Sequence, residues 1–391
     1  MLAFGDTSKT LEAVRKLSSE IAAAADEGEK NRHLVPAVVD KLRQAGIFRM
    51  MVPKNFGGDA LSLPQVCAVI EELAAADAAA AWTAMVGVGF NVILANFSRA
   101  TADKIYADGP DVGLRGAIAP IGKFVPVDGG YKVSGRWPFA SGPYKPTWIV
   151  AGGTVMDGDK PLMSPMGPET RISIVPLDQV EFLDTWYTVG LCGTDSRDYQ
   201  FKDVFVSEDY AVNLFGMNVQ CYGDPLFELP FPVLAGPTHS AVCLGIVRAT
   251  LTELAGLART KRSAFNPTQT LGENPVFAHR FAELSVRHSA IQSLLELQTR
   301  EVMQLGKGED SLAMEDVTRH ASYSGYIHTQ AMDIVNEAFT MAGSTPVYTR
   351  STLQRRWRDL RVAAQHIAGS TWQYATYGTL LAGLEPPMPG K

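Results

Sequence analysis

Three clusters of side chains in this sequence are equipped to do chemistry. The first runs Gly135-Arg136-Trp137-Pro138-Phe139-Ala140-Ser141-Gly142. Two aromatics and a hydroxyl leave a strand just ahead of a turn. Such a set can wall a planar ring, with Ser141 offering a hydrogen bond to a ring nitrogen or oxygen. From these residues alone, packed aromatics at a barrel rim read equally well. The second cluster is Arg262-Ser263-Ala264-Phe265 at a helix end. It pairs a cation for a phosphate with a ring for a ring, or simply sets a cation against helix carbonyls. The third runs from Arg350 to Arg361 as RSTLQRRWRDLR, with Asp359 embedded among arginines and Trp357. That mixture suits a partly buried ion-pair network. Gln365 and His366 follow on an apolar stretch, VAAQHIAG. A lone histidine on an apolar face is more often a core residue, but its side chain titrates near neutrality, as acid–base work requires.

Other chemistries lack their signatures. The sequence holds no G-x-x-x-x-G-K-[ST], no H-E-x-x-H and no G-x-S-x-G, and Gly87-Val88-Gly89 lacks the third glycine of a dinucleotide turn. His320 and His328 lie eight apart on one helical stretch without a carboxylate at ligand spacing, so no metal site is expected. Cys67, Cys192, Cys221 and Cys243 form no C-x-x-C pair, and four cysteines in 391 residues are not a disulfide framework. Lys plus Arg number 35 against 41 Asp plus Glu, a net charge of -6 that argues against a dedicated nucleic-acid binder. The N-terminal stretch has no apolar core of a signal peptide, which points to the cytosol.

The elements that must hold these clusters follow from a change of period. Residues 1–112 read as a helical domain. Leu11, Val14, Leu17 and Ile21 make an amphipathic stripe, Pro36 sits in the first turn of a helix that Gly46 ends, and Pro64 opens another. The apolar run from Ala78 to Phe97 reads as a buried core helix rather than a membrane span. Residues 113–229 carry short runs bounded by turn signals, with Asp128-Gly129-Gly130 as a hairpin turn. They predict a small barrel or sandwich. In residues 230–391 the helical period returns, and four long helices fit a bundle. The fold class is α+β, mostly α.

The clusters, in this order, resemble the acyl-CoA dehydrogenase superfamily along essentially the whole chain. The similar runs are VPKNFGG (52–58), EELAAADAAAAW (71–82), GYKVSGRW (130–137), WYTVGLCGTDSRD (186–198), DVFV (203–206) and RSAF (262–265). The resemblance implies a helical domain, a β domain and a C-terminal four-helix bundle, assembled as a homotetramer. Within the superfamily, the dehydrogenases use a glutamate base on the bundle. Here the corresponding stretches read QHIAGST and PFPVLAGPTHSAVCLGIVRA, with no carboxylate. The W-x-F-x-S-G and R-x-W-R-D…Q-H patterns instead resemble the two-component flavin-dependent monooxygenases, and they raise His366 from core residue to favoured candidate.

That branch implies reduced flavin, FADH2 or FMNH2, delivered by a separate NAD(P)H:flavin reductase. It implies O2 as co-substrate, a C4a-hydroperoxyflavin, and hydroxylation of a small aromatic of phenol or indole type. By the same resemblance Ser141 bonds the flavin N5 region, and Trp137 and Phe139 wall the ring. Ser196 and Gln365 contact the flavin. Arg262 and Phe265 reach the flavin of a neighbouring subunit. His366 acts as base toward a phenol or indole N–H, or holds the adduct's proton. Trp82, Phe90 and Tyr187 supply aromatic pocket surface. One departure stands out: the family's G-T-G-S turn reads Gly193-Thr194-Asp195-Ser196. Asp tolerates positive φ better than most residues, so the turn is expected to persist. The alternatives are an acyl-CoA dehydrogenase with a displaced base and a non-catalytic flavin-binding scaffold.

Overall fold

The computed structural model describes residues 7–143, 147–164, 167–213, 223–229, 231–263, 266–305 and 313–386. Five helices come first. Ser8 caps α1 (Lys9–Asn31), accepting from the Leu11 N–H, and the stripe Leu11, Val14, Ile21 and Ala25 is buried. Pro36 opens α2 (Pro36–Gln44), and Gly46 just beyond it adopts φ 87°. A capping box of Ser62 and Gln65 starts α3 (Leu63–Ala76). Asp77 separates α3 from α4 (Ala78–Gly89), its carboxylate accepting from the Ala79 and Ala80 N–H groups. The faces of α4 are almost all buried, so the first part of the apolar run is a core helix; the rest, Phe90–Asn96, tightens into a 3-10 helix. α5 (Arg99–Ile105) completes the block.

The strands are β1 (Leu114–Val127), β2 (Gly130–Trp137), β3 (Trp148–Asp157), β4 (Lys160–Pro161), β5 (Met163–Ser164), β6 (Gly167–Pro168), β7 (Thr170–Pro176), β8 (Glu181–Leu183), β9 (Asp198–Ser207) and β10 (Ala211–Val212). The main sheet has the order β10-β7-β3-β1-β2-β9-β8. β1 runs parallel to β3 and antiparallel to β2, so this is one mixed sheet. The turn between β1 and β2 is two residues, Asp128-Gly129, with Gly129 at φ 73°; Gly130, expected in the turn, is the first residue of β2. One face buries Phe124, Val133, Trp137, Tyr199 and Phe201 in a compact aromatic core.

Helices return with α6 (Phe231–Thr260), followed by the short hairpin β11 (Arg262–Ser263) and β12 (Asn266–Thr270), then α7 (Pro275–Leu305), α8 (Met314–Met341), α9 (Thr352–Ala363) and α10 (Gln373–Leu381). The four long helices suggested by the period resolve into three of 30, 31 and 28 residues and two short ones. In α6, Val233–Thr260 is long and apolar enough to cross a membrane, yet it packs as the central helix against α3, α4 and α8. Arg248 of α6 pairs with Glu71 and Glu72 of α3, each at 3.0 Å. Burial nevertheless pushes the Glu71 carboxyl up to about 7, the guanidinium only partly offsetting the lost hydration.

The crossing of α3 and α6 depends on Gly245. A Cβ there would overlap the Glu71 carbonyl oxygen and lie 2.6 Å from the Ala74 Cβ. Gly245→Ala therefore forces the two helices apart, and overpacking of this kind costs about 1–3 kcal/mol. Thermal unfolding of the variant should show a Tm several degrees below the parent; an unchanged Tm would mean that the crossing yields without cost.

Candidate active site

The last residue of β2 is Trp137, and two residues on Phe139 takes φ 61°, which turns the chain out of the sheet. This turn delivers Ser141 to the junction with the helices. Ser141 Oγ accepts from Trp82 Nε1 of α4 at 3.1 Å and lies 2.7 Å from Ser196 Oγ. Ser196 Oγ is 2.8 Å from Thr194 Oγ1, which donates to the Leu191 carbonyl at 2.8 Å. A carbonyl can only accept, so Thr194 must donate there, and the direction of the whole chain follows. Trp82 donates to Ser141, Ser141 to Ser196, Ser196 to Thr194. The Ser141 proton is thereby committed inward, and its oxygen keeps one lone pair for a ligand's N–H or O–H.

An ion pair holds the chain of hydroxyls in register. Arg115 on β1 is 1% exposed. Its Nη1 bonds Asp195 Oδ2 at 3.0 Å, its Nη2 the Asp195 carbonyl, and its Nε the Ala140 carbonyl. Arg197 Nε meets the other Asp195 oxygen at 2.8 Å. Asp195 sits at φ 50°, so the turn persists with aspartate where glycine was expected. The carboxylate does what glycine could not: it neutralises a buried guanidinium that ties together the turns carrying Ser141 and Ser196.

Three histidines from three segments meet beside Trp82. His366 caps the short turn Ile367–Gly369, its Nδ1 accepting from the Ala368 N–H at 3.2 Å. Its ring stacks on His239 of α6, 4.1 Å between centroids and 17° between planes. Trp82 stands edge-on to both, at 5.2 and 5.7 Å. His328 of α8 packs its ring against Gly369, where a Cβ would overlap it. His366 keeps open surface, yet the neighbouring protein removes enough hydration to push its pKa down to about 4. Burial takes His328 to about 3 and His239 well below the ordinary value. All three are neutral at pH 7. Among the described residues, no carboxylate is among the charges that shift them.

The arginine-rich third cluster is a clamp. Asp359 is buried and accepts from the Leu191 N–H at 2.6 Å, and burial pushes its carboxyl up to about 7. Arg358 bonds the Val189 carbonyl at 2.6 Å and Glu29 at 2.7 Å, and Arg355 pairs with Asp26. α9 thus grips the loop that carries Thr194, Asp195 and Ser196.

Of the residues anticipated from sequence, Trp82, Ser141, Ser196 and His366 come together. Trp137 does not join them: it is 0% exposed in the sheet core, stacked on Tyr199, with Nε1 donating to the Gly152 carbonyl at 2.7 Å. Its assignment to the ring wall is corrected to core. Phe90 is likewise core, packed with Ile93, Phe97 and Tyr106. Phe139 is 64% exposed and edge-on to Trp186 at 6.2 Å, so it remains available to a planar ligand. Tyr187 lies at the surface under Arg32, bonded to Asp184 at 2.6 Å, and makes no contact with the histidines. Arg262 is exposed and donates to the Pro267 and Thr268 carbonyls; Phe265 lies outside the described residues. Gln365 is exposed beside His366 and bonds the Arg361 carbonyl. His239 and His328 were not anticipated. The available signal was three histidines on three separate apolar stretches, THSAVCLG, YIHTQAM and AAQHIAG. No group of three or more His, Cys, Asp or Glu among the described residues could hold a metal.

Two family models match: the acyl-CoA dehydrogenase N-terminal domain over residues 6–106 and the acyl-CoA dehydrogenase C-terminal domain over residues 237–371. An indole-3-acetate monooxygenase of Pseudomonas putida is 30% identical over 369 residues, covering 94% of this chain and 92% of the relative. The flavin-dependent monooxygenase oxygenase subunit HsaA of Mycobacterium tuberculosis is 26% identical, with 97% of each chain covered. Among solved structures, XiaF from Streptomyces in complex with FADH2 and glycerol superposes with a TM-score of 0.89 at 22% identity, covering 97% of this chain and 96% of that one.

The Arg115–Asp195 pair predicts a double-variant outcome. Asp195→Gly suits the backbone but strands a buried guanidinium, and breaking a buried pair costs about 3–5 kcal/mol. Arg115→Met added to it should recover part of the lost Tm, a strong positive coupling. Losses that simply add would mean the two side chains act independently.

Proposed function

Since the chain belongs to the acyl-CoA dehydrogenase family, on its flavin-dependent monooxygenase branch, we propose from its site how it acts: it is the oxygenase component of a two-component system that uses reduced flavin and O2 to hydroxylate a small aromatic substrate. The observation that carries this reading is the Ser141 hydroxyl, its proton directed inward and one lone pair left over. Reduced flavin carries a proton at N5 and oxidised flavin does not, so an acceptor at this point fits the reduced form. Phe139 offers an exposed ring for the flavin to lie against. When bound, reduced flavin supplies the electrons that activate O2, one atom of which enters the substrate while the other leaves as water.

The protein's own part is to hold, dry and direct. Ser141 accepts from the flavin N5–H. His366, with Nδ1 occupied by the Ala368 N–H, carries its neutral proton on Nε2 and donates it as a hydrogen bond to oxygen. A pKa near 4 keeps it a neutral donor across the physiological range rather than a cation. Of the two roles anticipated for His366, holding a proton suits this tautomer better than removing one. Trp82 bridges Ser141 and the histidines with an apolar ring. The absence of a carboxylate beside these groups, among the described residues, leaves α-proton removal from a thioester without a base.

Reduced flavin comes from a separate NAD(P)H-linked reductase, as the two-component type requires. A homotetramer centred on the bundle is part of the same proposal. Its support is the exposed Val286 and Leu297 on α7 and Tyr326 on α8. Arg262 stands exposed on that block, open to a flavin held by a neighbouring subunit.

His366→Ala tests the role. The folded variant should still bind reduced flavin and consume O2 but release hydrogen peroxide, with product per O2 lower by about tenfold or more. A coupling ratio equal to the parent's would remove His366 from the reaction.

A further inference from the structure

We propose that His239 reads the substrate: its Nε2 accepts a hydrogen bond from an N–H or O–H carried on the substrate's aromatic ring, beside the His366 Nε2–H donor, so that phenol- and indole-type rings are held and their N- or O-methylated forms are not. The inference rests on the aromatic hydroxylation proposed above and adds the group that selects the ring.

The two stacked imidazoles have opposite tautomers, each fixed by the backbone. His239 Nδ1 lies 2.7 Å from the Ala235 carbonyl, one turn earlier in α6. A carbonyl only accepts, so Nδ1 carries the proton and Nε2 of the neutral ring is bare. His366 Nδ1 accepts from a backbone N–H, so its Nε2 carries the proton. One pair of rings, 4.1 Å apart, therefore presents an acceptor and a donor. Nδ1 ties the His239 ring to its own helix, which leaves Nε2 at the outer end of the ring.

Nε2 of His239 is buried and has no protein partner among the described residues, and the residue is 6% exposed. Native interiors seldom leave such an atom unpaired; ring nitrogens of His288, His320 and His328 are also unpaired, and what sets His239 apart is that its ring stacks on His366 beside Trp82. The ring contacts are with Trp82, which bonds Ser141, and with His366. Burial holds the His239 pKa well below the ordinary value, with His366 and His328 adding to the effect, so Nε2 stays bare at neutral pH. A cationic His239 would repel an N–H donor; the neutral one accepts it. Sites that hydrogen-bond a substrate N–H or O–H reject the analogue that lacks it, because the buried partner is then left unpaired.

The test is equilibrium dialysis under anaerobic conditions, with protein carrying reduced flavin, of indole against 1-methylindole and phenol against anisole. The parent should hold the N–H or O–H form of at least one pair about tenfold more tightly, the scale of one buried hydrogen bond. In His239→Leu the preference should shrink to within about twofold. His239→Gln, whose Oε1 accepts, should restore part of it. A structural histidine would lower the Tm of both variants and leave the ratio alone. A parent that binds an aromatic without preference, or a folded Leu variant with the parent's ratio, overturns the role of His239 and leaves the hydroxylase reading standing. A parent that binds none of the four overturns that reading, and this inference with it.

Discussion

The candidate site depends on one buried ion pair, Arg115 with Asp195. A guanidinium at the base of the sheet is costly to desolvate, and its stability there requires several bonds made together. It receives them from the Asp195 carboxylate, the Asp195 carbonyl and the Ala140 carbonyl. Those partners belong to the two turns that carry Ser196 and Ser141. The electrostatic requirement of a single arginine thereby holds two hydroxyls 2.7 Å apart, and the Leu191 carbonyl at the end of the chain sets the direction of every proton from Trp82 onward. Aspartate at φ 50° is a strained choice for a turn, and the paired arginine accounts for it.

The same loop is held from its other side by the helical bundle. Asp359 takes the Leu191 N–H and Arg358 the Val189 carbonyl, while α9 is anchored to α1 through Arg355–Asp26 and Arg358–Glu29. The sheet brings the serines, the bundle brings His239, His328 and His366, and α4 brings Trp82, which touches both groups. An acceptor at Ser141 and a donor at His366 thus lie on either side of Trp82, supplied by different domains. On the sheet side the charges of Arg115 and Asp195 are spent on each other, and on the bundle side the histidines are neutral.

The general layout was legible in the sequence because it rests on period: apolar spacing of three and four marks the helices, and turn residues mark the strands. Ser141, Trp82 and His366 were legible as residue types. Trp137 and Phe139 show where that reasoning stops. Two residues apart in a strand they should share a face. The positive φ at Phe139 breaks the alternation, sending Trp137 into the core and Phe139 out to solvent. Phe90 fails for a related reason: α4 ends at Gly89, and the chain enters a tighter helical turn that faces a different core. His239 and His328 could not be placed from spacing, since helical period tells which residues share a face and not which helices meet.

The lone pair left on Ser141 suits flavin that carries a proton at N5. Anaerobic titration of the protein with the same flavin in its oxidised and reduced forms tests it most directly. Reduced flavin should bind more tightly by about tenfold, the worth of one charge-free hydrogen bond at Ser141, and Ser141→Ala should abolish the difference. Oxidised flavin bound as tightly as reduced, and bleached by an acyl-CoA thioester, would contradict it.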